Sequence, residues 1–227
     1  MSRLIAIGDI HGHHQKLERI LEMVQPRDTD QFVFLGDYVN RGPDTKGVIS
    51  FLMEFQSAYP DTIFLRGNHD QMLLNALFEY RYSSDHACQT SVYEHQCCTR
   101  CPGTIMFLQS GGRHTLESYS IQKINEIPQS HLAFIQQTRF YHSIDAFLFV
   151  HAGARNDLPL EAQDEYTLLW SRNLDPGIME THVVGHKPTS DGLPLFENGR
   201  YLLDTGAGVG GPLTACNVRT KEFWQAR

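Results

Sequence analysis

Several short apolar runs in this chain stop at, or just before, a residue whose side chain can bind a metal ion. Asp9 and His11 follow the first such run, and the later runs are followed by Asp37, Asn68, His151 and His186. Carboxylate, amide oxygen and imidazole together suit Mn, Fe or Zn, whereas Ca prefers oxygen ligands alone. The sequence therefore predicts a transition-metal site.

The number of these candidate ligands points to more than one ion. Six ligands are too many for one tetrahedral ion, but they suit two ions that share a bridging carboxylate. Two cations about 3.5–4 Å apart lower the pKa of a water between them and hold both oxygens of an in-line displacement. This pattern predicts the hydrolysis of a phosphoester.

The apolar runs are interpreted as buried strands separated by helices. Runs such as Leu4–Ile7 and Phe147–Val150 are continuous and four residues long, which is typical of strands buried on both faces. Helical spacing lies between strands, with apolar residues at Leu17, Ile20, Leu21 and Val24, and again at Val48, Phe51, Leu52 and Phe55. An α/β fold results, in which ligands collect beyond the carboxyl ends of strands.

The remaining segments complete one expected domain, residues 1–227. Residues 197–223 contain short apolar runs separated by glycines and predict further, antiparallel strands. Residues 81–109 show no clear period and are interpreted as a variable excursion from the core. No linker-like or low-complexity stretch divides the chain.

Charge and hydropathy exclude several classes of partner. The formal net charge is −7, which provides no general attraction to nucleic acids or anionic membranes. The start of the chain leaves no room for a signal peptide, and no apolar run approaches the roughly 20 residues of a membrane span. We expect a cytoplasmic protein with neither a nucleic acid nor a membrane partner.

The candidate ligands lie within ordered motifs that closely resemble those of the phosphoprotein phosphatase (PPP) family of metallophosphoesterases. Three resemble its signature motifs, namely Gly8–Gly12, Gly36–Gly42 and Gly67–Asp70, and two resemble its later histidine motifs, Val150–Gly153 and Val184–His186. The segments Leu168–Arg172 and Leu203–Ala207 also match family segments. The resemblance implies a central β-sandwich of two mixed sheets flanked by α-helices.

The resemblance also implies a role for each matching residue. The first metal ion would be held by Asp9, His11 and Asp37, and the second by Asp37, Asn68, His151 and His186. Mn²⁺ is the first expectation for both ions, with Fe or Zn as alternatives. The attacking group would be the hydroxide that bridges the metals, with no phosphoenzyme.

Further roles concern the substrate. His69 would be the general acid, Arg41 and Arg172 would grip the phosphoryl oxygens, and Asn68 would also contact substrate. Asn40 departs from the family, which usually has an aspartate that favours the protonated form of the motif histidine. We therefore expect His69 to be a weaker acid, with poor leaving groups affected most.

The leading functional prediction is a short serine/threonine protein phosphatase of the bacterial and phage type, with dual specificity toward phosphotyrosine as an option. Its rival is a symmetrical diadenosine tetraphosphate hydrolase, because those enzymes share the five motifs. A catalytically silent binding module rests on Asn40 alone. A nucleic acid phosphodiesterase ranks last, because the chain is acidic.

Several residues have a simpler structural interpretation. Asp9 and Asn68 taken singly suit a helix cap or turn, and Arg172 suits a surface ion pair. His13 and His14 are expected to open the first helix, and Asp204 to support the site without binding metal. A separate zinc site is an open alternative for Cys88, Cys97, Cys98 and Cys101.

Overall fold

The computed structural model describes residues 2–82, 101–172 and 180–227. The helices are α1 (His14–Val24), α2 (Thr45–Ala58), α3 (Asn68–Tyr82), α4 (Pro102–Phe107), α5 (Arg113–Tyr119), α6 (Gln129–Gln137) and α7 (Glu165–Trp170). The strands are β1 (Leu4–Ile7), β2 (Gln31–Phe34), β3 (Ile63–Phe64), β4 (Tyr141–Ile144), β5 (Phe147–Val150), β6 (Thr181–Val184), β7 (Leu195–Glu197), β8 (Arg200–Leu202), β9 (Leu213–Asn217) and β10 (Glu222–Ala226).

These strands form two mixed, five-stranded sheets, which confirms the predicted architecture. The first sheet has the order β10-β9-β1-β2-β3, and the second has the order β4-β5-β6-β8-β7. β1, β2 and β3 are parallel to one another, and so are β5, β6 and β8. The carboxyl ends of parallel strands lie at one edge of a sheet, so the residues that follow them are brought together.

Alternate residues of the first sheet face two different cores. Ile5 and Ile7 pack under the helices, whereas Leu4 and Ala6 pack with Phe149 and Val183 of the second sheet. Successive side chains of a strand point to opposite faces, so a strand buried on both faces is apolar throughout. This explains the continuous apolar runs of the sequence.

The first two helices form where the sequence predicts them. α1 begins at His14 and buries Leu17, Ile20, Leu21 and Val24. Asp44 caps α2, where its side chain accepts a hydrogen bond from the backbone N–H of Gly47 at 2.8 Å. Among the described residues, no helix combines the length and the apolar character that crossing a bilayer would require.

Two segments differ in detail from the sequence-based expectation. β9 and β10 are antiparallel as predicted, but β8 pairs with β6 in parallel, so the antiparallel prediction was wrong for that contact. The described part of the predicted excursion contains α4, whose Phe107 is fully buried in the helical core. α4 has only six residues, which is too short to display a helical period.

Candidate metal centre

The structure brings all six predicted metal ligands together at the carboxyl ends of the parallel strands. Asp9 and His11 follow β1, Asp37 follows β2, and Asn68 is the first residue of α3. From the second sheet, His151 follows β5 and His186 follows β6. Their placement in the fold matches the sequence-based expectation, and all but the partly buried His186 are buried.

The loops that carry these residues adopt an uncommon backbone conformation. Five site residues have a positive φ, a region that residues other than glycine rarely occupy. They are His11, Asp37, Asn40, Arg41 and His186. Such conformations cost free energy and concentrate at functional sites. The backbone is therefore strained where the strand-end side chains converge.

Two glycines allow the carboxylates of two predicted metal ligands to pack against neighbouring backbone. A Cβ atom on Gly67 would collide with Oδ1 of Asp37, and one on Gly185 would collide with Oδ1 of Asp9. Both glycines directly precede predicted ligands, Asn68 and His186. Replacing either with alanine would displace a carboxylate.

One pair of contacts places acceptor atoms against each other. Nδ1 of His151 lies 2.8 Å from the carbonyl oxygen of Leu35 and donates its proton there. Its Nε2 therefore carries a lone pair, yet it lies 2.9 Å from Oδ1 of Asn68. Two acceptors this close repel each other, and a metal ion bound by both would remove the repulsion.

The carboxylate of Asp37 makes the same kind of contact on both sides. His11 donates from Nδ1 to the carbonyl oxygen of Val39 at 3.0 Å, so its Nε2 also carries a lone pair. That Nε2 lies 3.4 Å from Oδ2 of Asp37, while Oδ1 lies 3.6 Å from Nε2 of His151. Each oxygen of Asp37 thus faces a different histidine, as a carboxylate shared by two ions requires.

Further buried polar atoms have no partner among the described residues. They include Oδ1 of Asp9 and Nε2 of His186. Buried polar groups are normally hydrogen-bonded, so such exceptions need a cause. Together with the facing acceptors, they show that the donor set fits divalent cations. Ligand atoms of Asp9, Asp37 and His151 lie within 4.8 Å of one another, as do those of His11, Asp37 and His69.

Burial shifts the pKa values at this site toward neutral side chains. Desolvation raises the pKa of Asp37 to about 7, and desolvation with repulsion from Asp204 raises the pKa of Asp9 well above its usual range. Desolvation also lowers the pKa of His11 to about 3 and that of His151 to about 4. Neutral imidazoles are ready to ligate, whereas the carboxyls must release protons when a metal binds.

The predicted catalytic residues surround His69. Its Nδ1 lies 3.0 Å from the amide nitrogen of Asn40, and its Nε2 lies 3.0 Å from Nη2 of Arg41. Burial lowers the pKa of His69, and so does its proximity to the imidazole of His11, because two imidazolium ions side by side would repel each other. Arg41 also contacts the neighbouring imidazole, because its Nη1 lies 3.3 Å from Nε2 of His11.

A cleft of about 680 Å³ opens above the site, and its lining includes Asp37, Arg41, Asn68, His69 and His186. Arg172 is exposed at its rim, and the pKa of His186 is lowered by burial, by the nearby His151 and by the charge of Arg172. The other wall is partly apolar and contains Met72, Tyr166, Trp170 and Val209. Arg41 therefore lies deep in the cleft, whereas Arg172 lies at its outer edge.

Sequence analysis assigned no role to Asp70, which organises the loops of two strands. Its carboxylate accepts hydrogen bonds from the backbone N–H groups of Asp37, Tyr38 and Gly67 at 2.8, 3.0 and 2.9 Å. The signal was present, because Asp70 ends the third signature motif.

Residues of α5 and the turn before it also approach the site without any sequence signal. The carbonyl of Gly111 accepts from the backbone N–H of Arg41 at 3.3 Å, and Thr115 contacts Asn40. Neither lies in a motif, and more than 60 residues separate them from their partners.

The remaining sequence predictions have mixed outcomes. Asp204 is buried and its charge acts on Asp9, in line with a supporting role. Cys88, Cys97 and Cys98 lie outside the described residues, so the zinc alternative stays open for them. Cys101, which precedes α4, is buried.

Known proteins share this architecture and parts of this sequence. Residues 2–208 match the family model described as calcineurin-like phosphoesterase. A Caenorhabditis elegans protein described as a serine/threonine-protein phosphatase is 36% identical over 75 residues, which is 33% of this chain and 21% of that protein. The match therefore spans about a fifth of that relative.

Solved structures extend the similarity to the whole fold. One, described as a diadenosine tetraphosphatase, has a TM-score of 0.71 at 21% identity and covers 99% of this chain and 93% of its own. A cold-active protein-tyrosine phosphatase of a psychrophilic Shewanella has a TM-score of 0.59 at 16% identity, with 100% and 81% covered. At these identities, the structures establish a shared fold.

Proposed function

Because the chain belongs to the calcineurin-like phosphoesterases, we propose that it is a dinuclear, metal-dependent phosphomonoester hydrolase that acts on phosphorylated proteins. One observation carries the proposal. Acceptors face acceptors where Asn68, which lines the cleft, meets the buried His151, and Arg41 and His69 line the same cleft. Bound cations would be coordinated by these acceptor atoms. A phosphate dianion would then bind both to the cations and to the N–H groups of Arg41 and His69.

The metal ions have assigned ligands in this proposal. Asp37 is shared, Asp9 and His11 complete the first site, and Asn68, His151 and His186 complete the second. When bound, the ions supply positive charge to the phosphoryl oxygens and lower the pKa of the attacking water. Mn²⁺ is the first candidate, with Fe and Zn as alternatives, because the ligands mix imidazole with oxygen.

The protein's own groups position the ester. Arg41 presents an N–H donor, and its Nη2 lies 3.0 Å from Nε2 of His69, which donates when the ring is protonated. An oxygen of the phosphoryl group accepts from Arg41, and the leaving oxygen accepts from Nε2 of His69. Arg172 at the rim holds a further phosphoryl oxygen, since guanidinium suits two-point contacts.

The cleft also bears on the substrate class. It is open at the surface and is wide enough, at about 680 Å³, for a phosphorylated side chain on a peptide. The apolar wall of Met72, Tyr166, Trp170 and Val209 suits an aryl group as well. We therefore include phosphotyrosine beside phosphoserine and phosphothreonine.

A dinucleoside polyphosphate is the second candidate substrate. A groove of about 670 Å³ adjoins the cleft, shares Arg172 and Pro188 with it, and also contains Lys187 and Arg200. Such a groove has room for a second nucleotide. The similarity of fold to a protein described as a diadenosine tetraphosphatase points the same way.

Parallel turnover assays test these proposals. The Mn²⁺-loaded protein should release p-nitrophenol from its phosphate ester, and Asp37→Asn should abolish release, whereas the exposed His114→Ala should not. Phosphoserine and phosphotyrosine peptides are compared with diadenosine tetraphosphate at equal concentration. Faster turnover of the dinucleotide would favour the second candidate. No turnover with any divalent metal would favour the silent binding module.

A further inference from the structure

A glycine-rich turn between β8 and β9 lies beside the predicted first metal site. Residues 206–211, here called the glycine turn, have the sequence Gly-Ala-Gly-Val-Gly-Gly. Gly206 and Gly210 have φ angles of +88° and +93°, a region that favours glycine. The backbone N–H groups of Val209 and Gly211 both donate to the carbonyl oxygen of Gly206, at 2.9 and 2.7 Å. The turn is therefore compact, and its shape depends on glycine.

One residue of the glycine turn contacts a predicted metal ligand. A Cβ atom on Gly208 would lie 2.4 Å from Cδ2 of His11, the ring carbon bonded to Nε2. The ring has little room to move away, because it is buried and its Nδ1 donates to the carbonyl oxygen of Val39. The backbone of Gly208 therefore packs against the imidazole next to the nitrogen that faces Asp37.

Lys16 of α1 ties the glycine turn to the helix. Its Nζ donates to the carbonyl oxygen of Gly211 at 2.6 Å, although 195 positions separate the two residues. The same Nζ lies 3.4 Å from the carbonyl oxygen of Ala207. These two carbonyl groups lie on either side of Gly208 in the chain, so one ammonium group joins both. Hydrogen bonds from a charged donor are roughly twice as strong as neutral ones.

The place of Lys16 in its helix supports a role outside that helix. Lys16 lies in the first turn of α1, which begins at His14 and has no acidic residue in that turn. A cation near a helix N-terminus is unfavourable, because it lies at the positive end of the helix dipole. The charge of Lys16 therefore gains its stabilisation from the carbonyl groups of the glycine turn.

Building on the proposed function, we propose that Lys16 is a positioning residue that holds the glycine turn against His11 and thereby sets the affinity of the first metal site. Glycine has high backbone freedom, so the turn would sample other conformations without this contact. His11 would then keep its hydrogen bond to Val39 but lose the support of Gly208. Outer contacts that orient a ligand histidine contribute roughly 10–100-fold to metal affinity.

The second metal site depends on different contacts. Nδ1 of His151 donates to the carbonyl oxygen of Leu35, and Nδ1 of His186 lies 3.0 Å from Oδ1 of Asn68. None of these contacts involves Lys16 or the glycine turn. A general loss of stability would weaken both ions, whereas a displaced His11 weakens only the first.

Hydrogen exchange of the metal-free, full-length protein tests the contact itself. Lys16→Met keeps the aliphatic stem but loses the N–H donors, and Lys16→Arg keeps a charged donor. In Lys16→Met, the amides of Val209 and Gly211 should exchange about ten-fold faster, as loss of a charged hydrogen bond implies, while those of β2 stay unchanged. Lys16→Arg should restore most of the protection, and the exposed Lys123→Met should have no effect. Unchanged exchange in Lys16→Met, or an equal increase in β2, would overturn the proposal.

Calorimetric titration with Mn²⁺ provides the second readout, without turnover. Lys16→Met should weaken one of the two ions about ten-fold and leave the other unchanged. Gly208→Ala should have the same effect with Lys16 intact, and it serves as the second variant if Lys16→Met does not fold. Equal weakening of both ions, or of neither, would overturn the proposal. A wild type that binds fewer than two ions would defeat the proposed function instead, whereas the exchange measurement tests the role of Lys16 in the absence of metal.

Discussion

The carboxylate of Asp70 accepts a hydrogen bond from the backbone N–H of Asp37 at 2.8 Å. The same carboxylate holds the N–H groups of Tyr38 and Gly67, so one buried side chain ties together the loops after β2 and β3. Asp37 has a positive φ, a conformation that residues other than glycine rarely adopt. Asp70 therefore helps to hold Asp37 in its position between His11 and His151.

The substitution Asp70→Asn should weaken metal binding. An amide can accept at one oxygen only, and its NH₂ group would face backbone donors. Loss of such an outer partner typically costs 10–100-fold in metal affinity, and we expect about ten-fold or more here. Calorimetric titration with Mn²⁺ measures the change. The exposed Asp28→Asn is the matched control, and equal affinity in both variants would contradict the prediction.

Metal stoichiometry should separate the two ions. His11→Ala and His151→Ala should each retain about one ion of two, because each removes a ligand from a single site. Asp37→Ala should retain neither, since both of its oxygens face ligand histidines at 3.4 and 3.6 Å. Elemental analysis after dialysis gives the count. His114→Ala, on an exposed surface, should keep both ions. Full occupancy in Asp37→Ala would exclude a shared carboxylate.

The substitution Asn40→Asp should accelerate hydrolysis of poor leaving groups. A carboxylate 3.0 Å from Nδ1 of His69 would favour the protonated ring, which the neutral amide does not. We expect kcat on a phosphoserine peptide to rise about ten-fold, with a smaller gain on p-nitrophenyl phosphate. Asn75→Asp, exposed on α3, controls for added charge. Equal gains on both substrates, or no gain, would count against a weakened acid.

The metal-free protein should lose stability as the pH rises from about 6.5 to 8. Burial raises the pKa of Asp37 to about 7 and that of Asp70 to about 8, whereas unfolded aspartate titrates near ~3.9. The folded chain therefore binds more protons than the unfolded chain in this window. Each carboxyl that is still protonated in the folded chain lowers the free energy of unfolding by about 1 kcal/mol per pH unit. The buried histidines act in the opposite sense, but only below about 6.5.

Thermal unfolding in the presence of a chelator measures this effect. The melting temperature should fall between pH 6.5 and 8, and Mn²⁺ should raise it most at pH 8, where metal no longer competes with protons. A melting temperature that rises with pH in the metal-free protein would show that Asp37 is ionised throughout.

The sequence alone predicted the α/β architecture and the convergence of six ligands. Strands such as Leu4–Ile7 are buried on both faces, so hydrophobicity and length suffice to identify them. The ligands follow such strands directly, and parallel strands necessarily place their carboxyl ends at one edge. These features depend on local order along the chain, which a sequence displays.

Tertiary structure decided the contacts made by residues distant in sequence. That Asp70 holds Asp37, that Thr115 contacts Asn40, and that β8 joins the second sheet in parallel all depend on packing between separate elements. A hydrogen bond between residues 75 positions apart leaves no periodicity or spacing in the sequence. Residue types thus indicated which chemistry is available, whereas packing determined the orientation of the groups that perform it.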